Sequence, residues 1–383
     1  MWLDVIAAVG LATWIYLLFG RGSFWLCRER DDDVPAAPQH WPRVTAVVPA
    51  RNEAECIAQS IGSLARQDYP GEFAIVLVDD DSDDGTAKAA ERAVAGAADQ
   101  FNLIASRGLA PGWTGKLWAL RQGIAAANDA PKPPDYLLLT DADIVHTTDS
   151  VRALVARAEA GGHVLTSLMA RLRCESLPER SHVPAFVFFF QMLFPFAWAN
   201  DPRKAIAGAA GGCMLVKADA LKRAGGIESI RGALIDDCSL AEKMKAVGPI
   251  WLGLTERVDS IRRYEDWDDV RGMISRSAYA QLKYSPLLLI GSTLGMALTF
   301  LAGPLLAVFS EGLPRLLGVL TWALMVLSFQ PMLRFYRLSP LWGLALPAIA
   351  LAYMLYTVDS AWRYLRGRGG IWKGRVQANA SGS

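Results

Sequence analysis

At 383 residues the chain exceeds a typical single domain, so one large domain with accessory segments is expected. Its 39 lysines and arginines against 38 acidic residues leave a formal charge of +1, which gives no electrostatic reason to propose nucleic acid as a partner. Five cysteines (27, 56, 174, 213 and 238) are scattered without a CxxC or a pairing with histidine. Neither a disulfide framework nor a zinc site is supported, and a reducing, cytosol-facing compartment fits.

Met1 to Gly20 is almost wholly apolar and lacks both a basic leader and a small-residue cleavage site, so it reads as a retained anchor over 1–20. Arg21, Arg28 and Arg30 follow it. The positive-inside rule then places the next segment in the cytoplasm, and the protein in the cytoplasmic membrane as a multi-pass chain.

Residues 43–282 read as an alternating α/β domain. VTAVVPA (44–50) is a β-branched run followed by the helix-like EAECIAQSIGSLARQ. FAIVLVDD (73–80) repeats the strand signal before an alanine-rich helix, then FNLIASR, KLWALRQGIAAAN, DYLLLTDAD (135–143) and TDSVRALVARAEAGG follow. Apolar runs bounded by turn residues and alternating with helices predict a mostly parallel sheet with helices on both faces. VVPARNEAE carries no GxGxxG, so a dinucleotide site is not expected after the first strand.

Further on, VPAFVFFFQMLFPFAWA (183–199) is short for a span, interrupted by Pro195 and strongly aromatic. It predicts either a pair of interfacial helices at the bilayer edge, where a lipid acceptor enters, or a buried core helix. AIAGAAGGCMLVKADAL (205–221) allows close backbone approach, for packing or near an acceptor. Residues 285–360 hold about three apolar helices, and 361–383 form a basic tail. Three full crossings would place that tail outside, against the rule that places its arginines inside; a re-entrant or interfacial segment is one way out.

The acidic residues collect at strand ends. Five aspartates fall between Asp79 and Asp84, directly after FAIVLV. Their repulsion calls for a cation, a donor-rich ligand or open water. Counting from Asp80, the spacing of Asp80, Ser82, Asp84, Gly85 and Glu91 satisfies the bare EF-hand pattern, but a strand precedes it where a helix is required, and Lys88 stands at a position often acidic. A capped helix start accounts for Asp83 or Asp84 alone. A sugar-nucleotide site accounts for more: a strand-end aspartate receives base and ribose donors, and Asp141-Ala142-Asp143 holds a divalent cation on a diphosphate.

PARNEAE, VDDDSDDGT, GKLWAL, DAD and IDDCSLAEKM occur in the order seen in family 2 glycosyltransferases, and the chain resembles that family, of GT-A fold, over about 43–258. More narrowly, PARNEAE, GWTGKLWA, AYAQLKYS and the flanking apolar segments look like the hopene-associated glycosyltransferases of bacterial hopanoid pathways. The resemblance implies that Asp79 and Asp80 bind base and ribose in a pocket walled by Pro49, Ala50, Arg51 and Glu53. It implies that Asp141 and Asp143 contact ribose or phosphate and Mg²⁺ or Mn²⁺, with Lys116 as a phosphate contact or else a solvated helix-start lysine. Asp237 matches the catalytic base and Asp236 its acidic neighbour, which implies inversion by one direct displacement. The polymer-synthase motif QxxRW is replaced by SRSAYAQLKYS (275–285), which favours transfer of a single sugar.

Arg276, Trp372, Lys373 and Arg375 are weaker candidates for acceptor or phosphate contacts. All four histidines precede the base, so none matches the C-terminal histidine that ligates metal in some GT-A enzymes; His146 reads as an ordinary loop residue. The expected partners are a nucleotide-sugar donor (UDP favoured), a lipid hydroxyl acceptor of the hopanoid type, the bilayer, and other enzymes of a lipid pathway. Polyprenyl phosphate and ceramide- or diacylglycerol-like lipids are the alternative acceptors. A non-catalytic domain binding nucleotide sugar or calcium is the reading from another class.

Overall fold

The computed structural model describes residues 1–96, 98–367, 369–372 and 375–378. After α1 (Trp2–Phe19), an eight-stranded sheet is built from β1 (Val44–Ala50), β2 (Phe73–Asp79), β3 (Phe101–Ala105), β4 (Tyr136–Thr140), β5 (Ile144–His146), β6 (Leu165–Leu172), β7 (Cys213–Lys217) and β8 (Ile250–Ser260). The strand order is β3-β2-β1-β4-β7-β6-β8-β5. Every residue of β1 and β4 is buried, as continuous apolar strands covered on both faces should be. The crossovers in this half are α2 (Ile57–Ala65), α3 (Thr86–Ala93), α4 (Gly115–Asn128) and α5 (Ser150–Gly161). On α4, a Cβ at Gly123 would lie 2.4 Å from Val47 Cγ1, so glycine lets the helix settle onto β1 and carry its first turn over the strand ends.

The sheet is mostly parallel, as expected, and mixed in detail: six of its eight strands run one way, with β5 and β7 reversed. β3, β2, β1 and β4 are parallel neighbours, and β6 pairs parallel with β8. β7 runs antiparallel to both β4 and β6, and β5 antiparallel to β8. The reason lies between β6 and β7. There α6 (Leu177–Leu193) and α7 (Phe196–Ala199) do not make a crossover over the sheet; α6 packs against the apolar helices of the C-terminal region, and the chain enters β7 from the opposite end.

The rest of the chain comprises α8 (Ala218–Arg223), α9 (Asp236–Lys245), α10 (Trp267–Ser275), α11 (Ala278–Gln281), α12 (Pro286–Met296), a π-helical stretch over 297–302, α13 (Gly303–Phe309), α14 (Gly312–Phe335) and α15 (Leu346–Leu365). It ends in a hairpin of β9 (Gly369–Trp372) and β10 (Arg375–Ala378). Among the described residues five helical segments, Trp2–Phe19, Leu177–Ala199, Pro286–Phe309, Gly312–Phe335 and Pro340–Leu365, are long and apolar enough to cross a membrane by length and composition. α1, α12–α13 and α14 form a bundle. Trp14 Nε1 donates to Thr299 O at 2.7 Å, and a Cβ on Gly318 would fall 2.6 Å from Gly303 O, the close approach that small residues permit between apolar helices. Leu287, Leu294, Phe309, Leu316 and Leu327 stay exposed on the bundle's outside.

Phe188 and Phe189, expected at a bilayer edge or in a buried core helix, lie inside the protein. Phe188 packs between Phe24 and Phe329, each 5.2 Å away ring to ring, and Phe189 against Phe300 and Tyr353. Both ends of the α6–α7 excursion are tied to β8 or its extension: Ser176 Oγ donates to Tyr264 O at 2.9 Å, and Asn200 Nδ2 donates to Leu252 O at 3.0 Å. The segment is the seam between the sheet domain and the helical bundle.

Candidate active site

One cavity of about 670 Å³ opens beyond the strand ends. Of the expected residues, Pro49, Glu53, Lys116, Asp141, Asp143, Asp236, Asp237 and Arg276 line it. They arrive from the end of β1, the first turn of α4, the turn between β4 and β5, the first turn of α9 and the end of α10.

The β4–β5 turn is fixed from two sides. Thr140 Oγ1 donates to Gly212 O at 2.7 Å, and Ile261 N to Asp143 O at 3.0 Å. Asp143 Oδ2 accepts from Ser260 Oγ and from Arg262 Nε, both at 3.0 Å, while Arg262 Nη2 reaches Glu53 Oε1 at 2.6 Å. Burial opposes the Arg262 charge, but Asp143 and Glu53 outweigh it and hold the guanidinium above its usual range. Lys116 is no solvated helix-start lysine: its Nζ lies 2.8 Å from Asp141 Oδ1 and 3.1 Å from Asp236 Oδ2, the latter contact an ion pair without hydrogen-bond alignment. Burial again works against the ammonium, and Asp141 and Asp236 more than reverse it. Asp141 is pushed up by burial despite Lys116 beside it.

Asp237 opens α9. Its Oδ2 accepts from Gly211 N at 3.0 Å and its Oδ1 from Cys238 N at 2.7 Å. A Cβ on Gly211 would lie 3.3 Å from Lys116 Nζ and 3.4 Å from Asp237 Oδ2, so the glycine-rich stretch serves close approach at this point. Burial raises the Asp237 pKa to about 6, with Asp236 adding to it and Lys116 and the two amides pulling the other way. A carboxyl poised near neutrality beside an open cavity suits a general base.

Other candidates fall outside the cavity lining. Ala50 is a fully buried strand residue, and Arg51 turns to Asp80, donating to its backbone oxygen with carboxylate contacts to Asp80 and Asp81 at 3.8 Å. Asp80 is thus packed against Arg51 beside the cavity rather than lining it. Asp79 ends β2 with Oδ1 buried and without a hydrogen-bond partner among the described residues. Asp84 locks the turn, its Oδ2 accepting from Ala54 N and its Oδ1 from Thr86 N, so part of the aspartate run is structural. His146 is no loop residue: it lies buried on β5 between Thr140 and Ser150, and burial lowers its pKa to about 4. Of Trp372 and Arg375 only the backbone is described, paired across the hairpin, and Lys373 lies outside the described residues.

Sequence reading missed Ser260, Arg262 and the apolar lining. Met169, Leu172, Phe186, Phe190 and Met273 line the same cavity, and all belong to or pack on the core shared with α14 and α15. The adjacent arginines in SIRRYE, following an apolar strand run, were the one local signal for Arg262.

The site suits a divalent cation in part. Its donors are hard carboxylate oxygens, and each aspartate of the pair keeps one oxygen outside the contacts just described: Oδ2 of Asp141 and Oδ1 of Asp143. Among the described residues no three metal-ligating side chains converge, so a bound cation would take further oxygens from the ligand it bridges.

Residues 45–225 match the profile of Glycosyl transferase family 2. Among solved structures, the chain is similar to the mannosyltransferase PcManGT from Pyrobaculum calidifontis in complex with GDP-Man and Mn²⁺, at 19% identity and a TM-score of 0.57 over 93% of this chain and 99% of that one. The likeness takes in the helical region as well as the sheet domain. Glucosyl-3-phosphoglycerate synthase from Mycobacterium tuberculosis matches at 18% identity and a TM-score of 0.41, covering 63% of this chain and 79% of that one. The comparison with curated proteins gave no match.

Proposed function

From a chain that carries a family 2 glycosyl transferase domain and is a glycosyltransferase, we propose transfer of one sugar from a nucleotide sugar to a lipid hydroxyl at a membrane surface. The observation that carries this reading is the double character of one cavity. Asp141, Asp143, Asp236 and Asp237 line it together with Met169, Phe186 and Phe190, whose neighbours are the apolar helices. A charged donor and a greasy acceptor need such a pair of surfaces around one reacting centre.

Asp79 and the loop of Pro49 to Glu53 receive base and ribose. Asp143 and Asp141 would hold Mg²⁺ or Mn²⁺, whose positive charge would offset the negative charge of the departing diphosphate. Lys116 stands ready to share that charge. Asp237 takes the proton of the acceptor hydroxyl as its oxygen attacks the anomeric carbon on the face opposite the leaving group, and the nucleoside diphosphate departs with the bonding pair. One displacement inverts the centre. Burial, with Asp236 adding to it, keeps the Asp237 proton affinity high enough for this task.

The GDP-Man and Mn²⁺ bound by the similar mannosyltransferase support a nucleotide-sugar donor with a divalent cation, and add guanosine donors to the UDP-sugars favoured by family habit. The five apolar segments support a membrane location, with the sheet domain on the cytoplasmic side. For the acceptor, the motif resemblance supports a hopanoid hydroxyl, with polyprenyl phosphate and ceramide- or diacylglycerol-like lipids as competitors. Membranes containing the protein, incubated with labelled UDP- and GDP-sugars and extracted lipids, should yield a singly glycosylated lipid resolved by mass. Release of free sugar with no glycolipid across the panel would overturn the lipid assignment.

A further inference from the structure

The segment Pro340–Leu365 has the length and composition of a span, yet both its ends are anchored to the same face of the molecule. Just before it, Arg337 Nη2 donates to Glu256 Oε2 on β8 at 2.9 Å. The chain then runs back along α14: Gln330 Nε2 donates to Pro340 O at 3.2 Å, and a Cβ on Gly343 would fall 3.0 Å from Val326 Cγ1. Val326 precedes the end of α14 at Phe335 by about nine residues, a depth of about 13 Å at 1.5 Å per residue. From there α15 returns. Tyr353 Oη donates to His182 O on α6 at 2.9 Å, Arg271 Nη2 on α10 to Asp359 Oδ1 at 2.6 Å, and Tyr279 N on α11 to Ser360 Oγ at 3.1 Å. Tyr364 stacks on Tyr284 at 4.4 Å, two residues before α12 begins. A straight crossing of this length would separate its ends by the thickness of a bilayer.

We infer that residues 340–365 form a re-entrant segment that dips beside α14 and returns to the sheet domain, where its end becomes a wall of the acceptor side of the cavity. Arg363, held by Asp359 at 2.7 Å, and Gly370 both line that cavity. The chain then crosses with α1, α12–α13 and α14 only, and its basic C-terminal end shares a side with Arg21, Arg28, Arg30, Arg334 and Arg337. This arrangement removes the conflict between three C-terminal crossings and the charge of the tail. The inference rests on the membrane and lipid-acceptor reading above, and its test separates the two.

Epitope tags are placed in the full chain, one between Ser310 and Glu311 and one at the C-terminus, and probed in intact and permeabilised spheroplasts. The expected result is a Ser310 tag reachable from outside and a C-terminal tag reachable only after permeabilisation. Both tags outside would overturn re-entry while leaving the membrane reading intact; both inside would overturn the membrane crossings themselves. For the wall, Arg363→Ala should raise the acceptor KM at least fivefold more than the donor KM, with Arg363→Lys restoring most of the difference. Equal changes in the two constants would overturn that role.

Discussion

Lys116 and Asp236 stand 3.1 Å apart, joining the first turn of α4 to the first turn of α9 across the mouth of the site. The same ammonium reaches Asp141 at 2.8 Å, so one lysine holds together the β4 end and the helix that bears Asp237. Lys116→Met leaves these half-buried carboxylates without their cation. Transfer should fall at least a hundredfold, and stability in detergent should drop by less than the ~3–5 kcal/mol that breaking a fully buried pair costs, because these side chains keep 16–34% of their surface exposed. Thermal unfolding and turnover, measured on the same preparation, check both. A variant of full activity would remove Lys116 from the site.

The pH dependence follows from Asp237. In the proposed mechanism its ionised form is the base, and burial with Asp236 alongside raises its pKa to about 6. With saturating metal, kcat/KM should rise about tenfold per pH unit below 6 and level off above it. Losing the Lys116 charge favours the protonated acid, so any residual activity of Lys116→Met should have its midpoint above that of the wild type. The stability sign is opposite: between the unfolded carboxyl pKa near ~4 and about 6 the folded chain binds the extra proton, so this group's contribution is full below ~4 and is lost as pH rises through 6. Asp237→Asn should flatten that part of the stability profile.

Asp237→Asn keeps the shape of the side chain but not its basicity. UDP or GDP binding with Mn²⁺ should stay within about threefold of wild type by calorimetry, while transfer falls by about a thousandfold, the middle of the range for general base catalysis. Near-normal transfer would exclude Asp237 as the base.

Asp143→Ala tests the cation. Metal-dependent nucleotide binding should be lost, with weak metal-independent binding surviving through the Asp79 side of the site. Calcium binding without nucleotide affinity in the wild type would instead favour the non-catalytic reading. Because Asp143 also holds Arg262, Asp143→Asn is the control: it retains a hydrogen-bond acceptor for the guanidinium and should still lose the metal dependence.

The phenylalanines of α6 divide by face. Phe186 and Phe190 line the cavity, and Phe186→Ala with Phe190→Ala should raise the acceptor KM at least tenfold more than they alter hydrolysis of the donor. Phe188 is completely buried between Phe24 and Phe329. Phe188→Ser should therefore destabilise the whole protein by at least about 3–5 kcal/mol and depress both activities together.

Much of this was legible beforehand because it is local. Strand runs ending in Asp79 and Asp141 announce a crevice at their carboxyl ends, and the Asp236-Asp237 pair announces a helix start. The antiparallel insertion of β7 was not legible, since short apolar strands carry no mark of direction. Nor was Arg262, which meets Asp143 from a strand end more than a hundred residues later.

By itself the sequence determined the alternation of strands and helices, the acidic strand ends and the apolar lengths of the outer helices, each written in neighbouring residues. The tertiary structure alone decided that Asp80 packs against Arg51 outside the cavity lining while Glu53 lines the cavity, that Phe188 faces inward while Phe186 lines the cavity, and that residues 340–365 turn back. Those outcomes depend on which distant surfaces meet, and side-chain burial and ion pairing are properties of the meeting rather than of either partner.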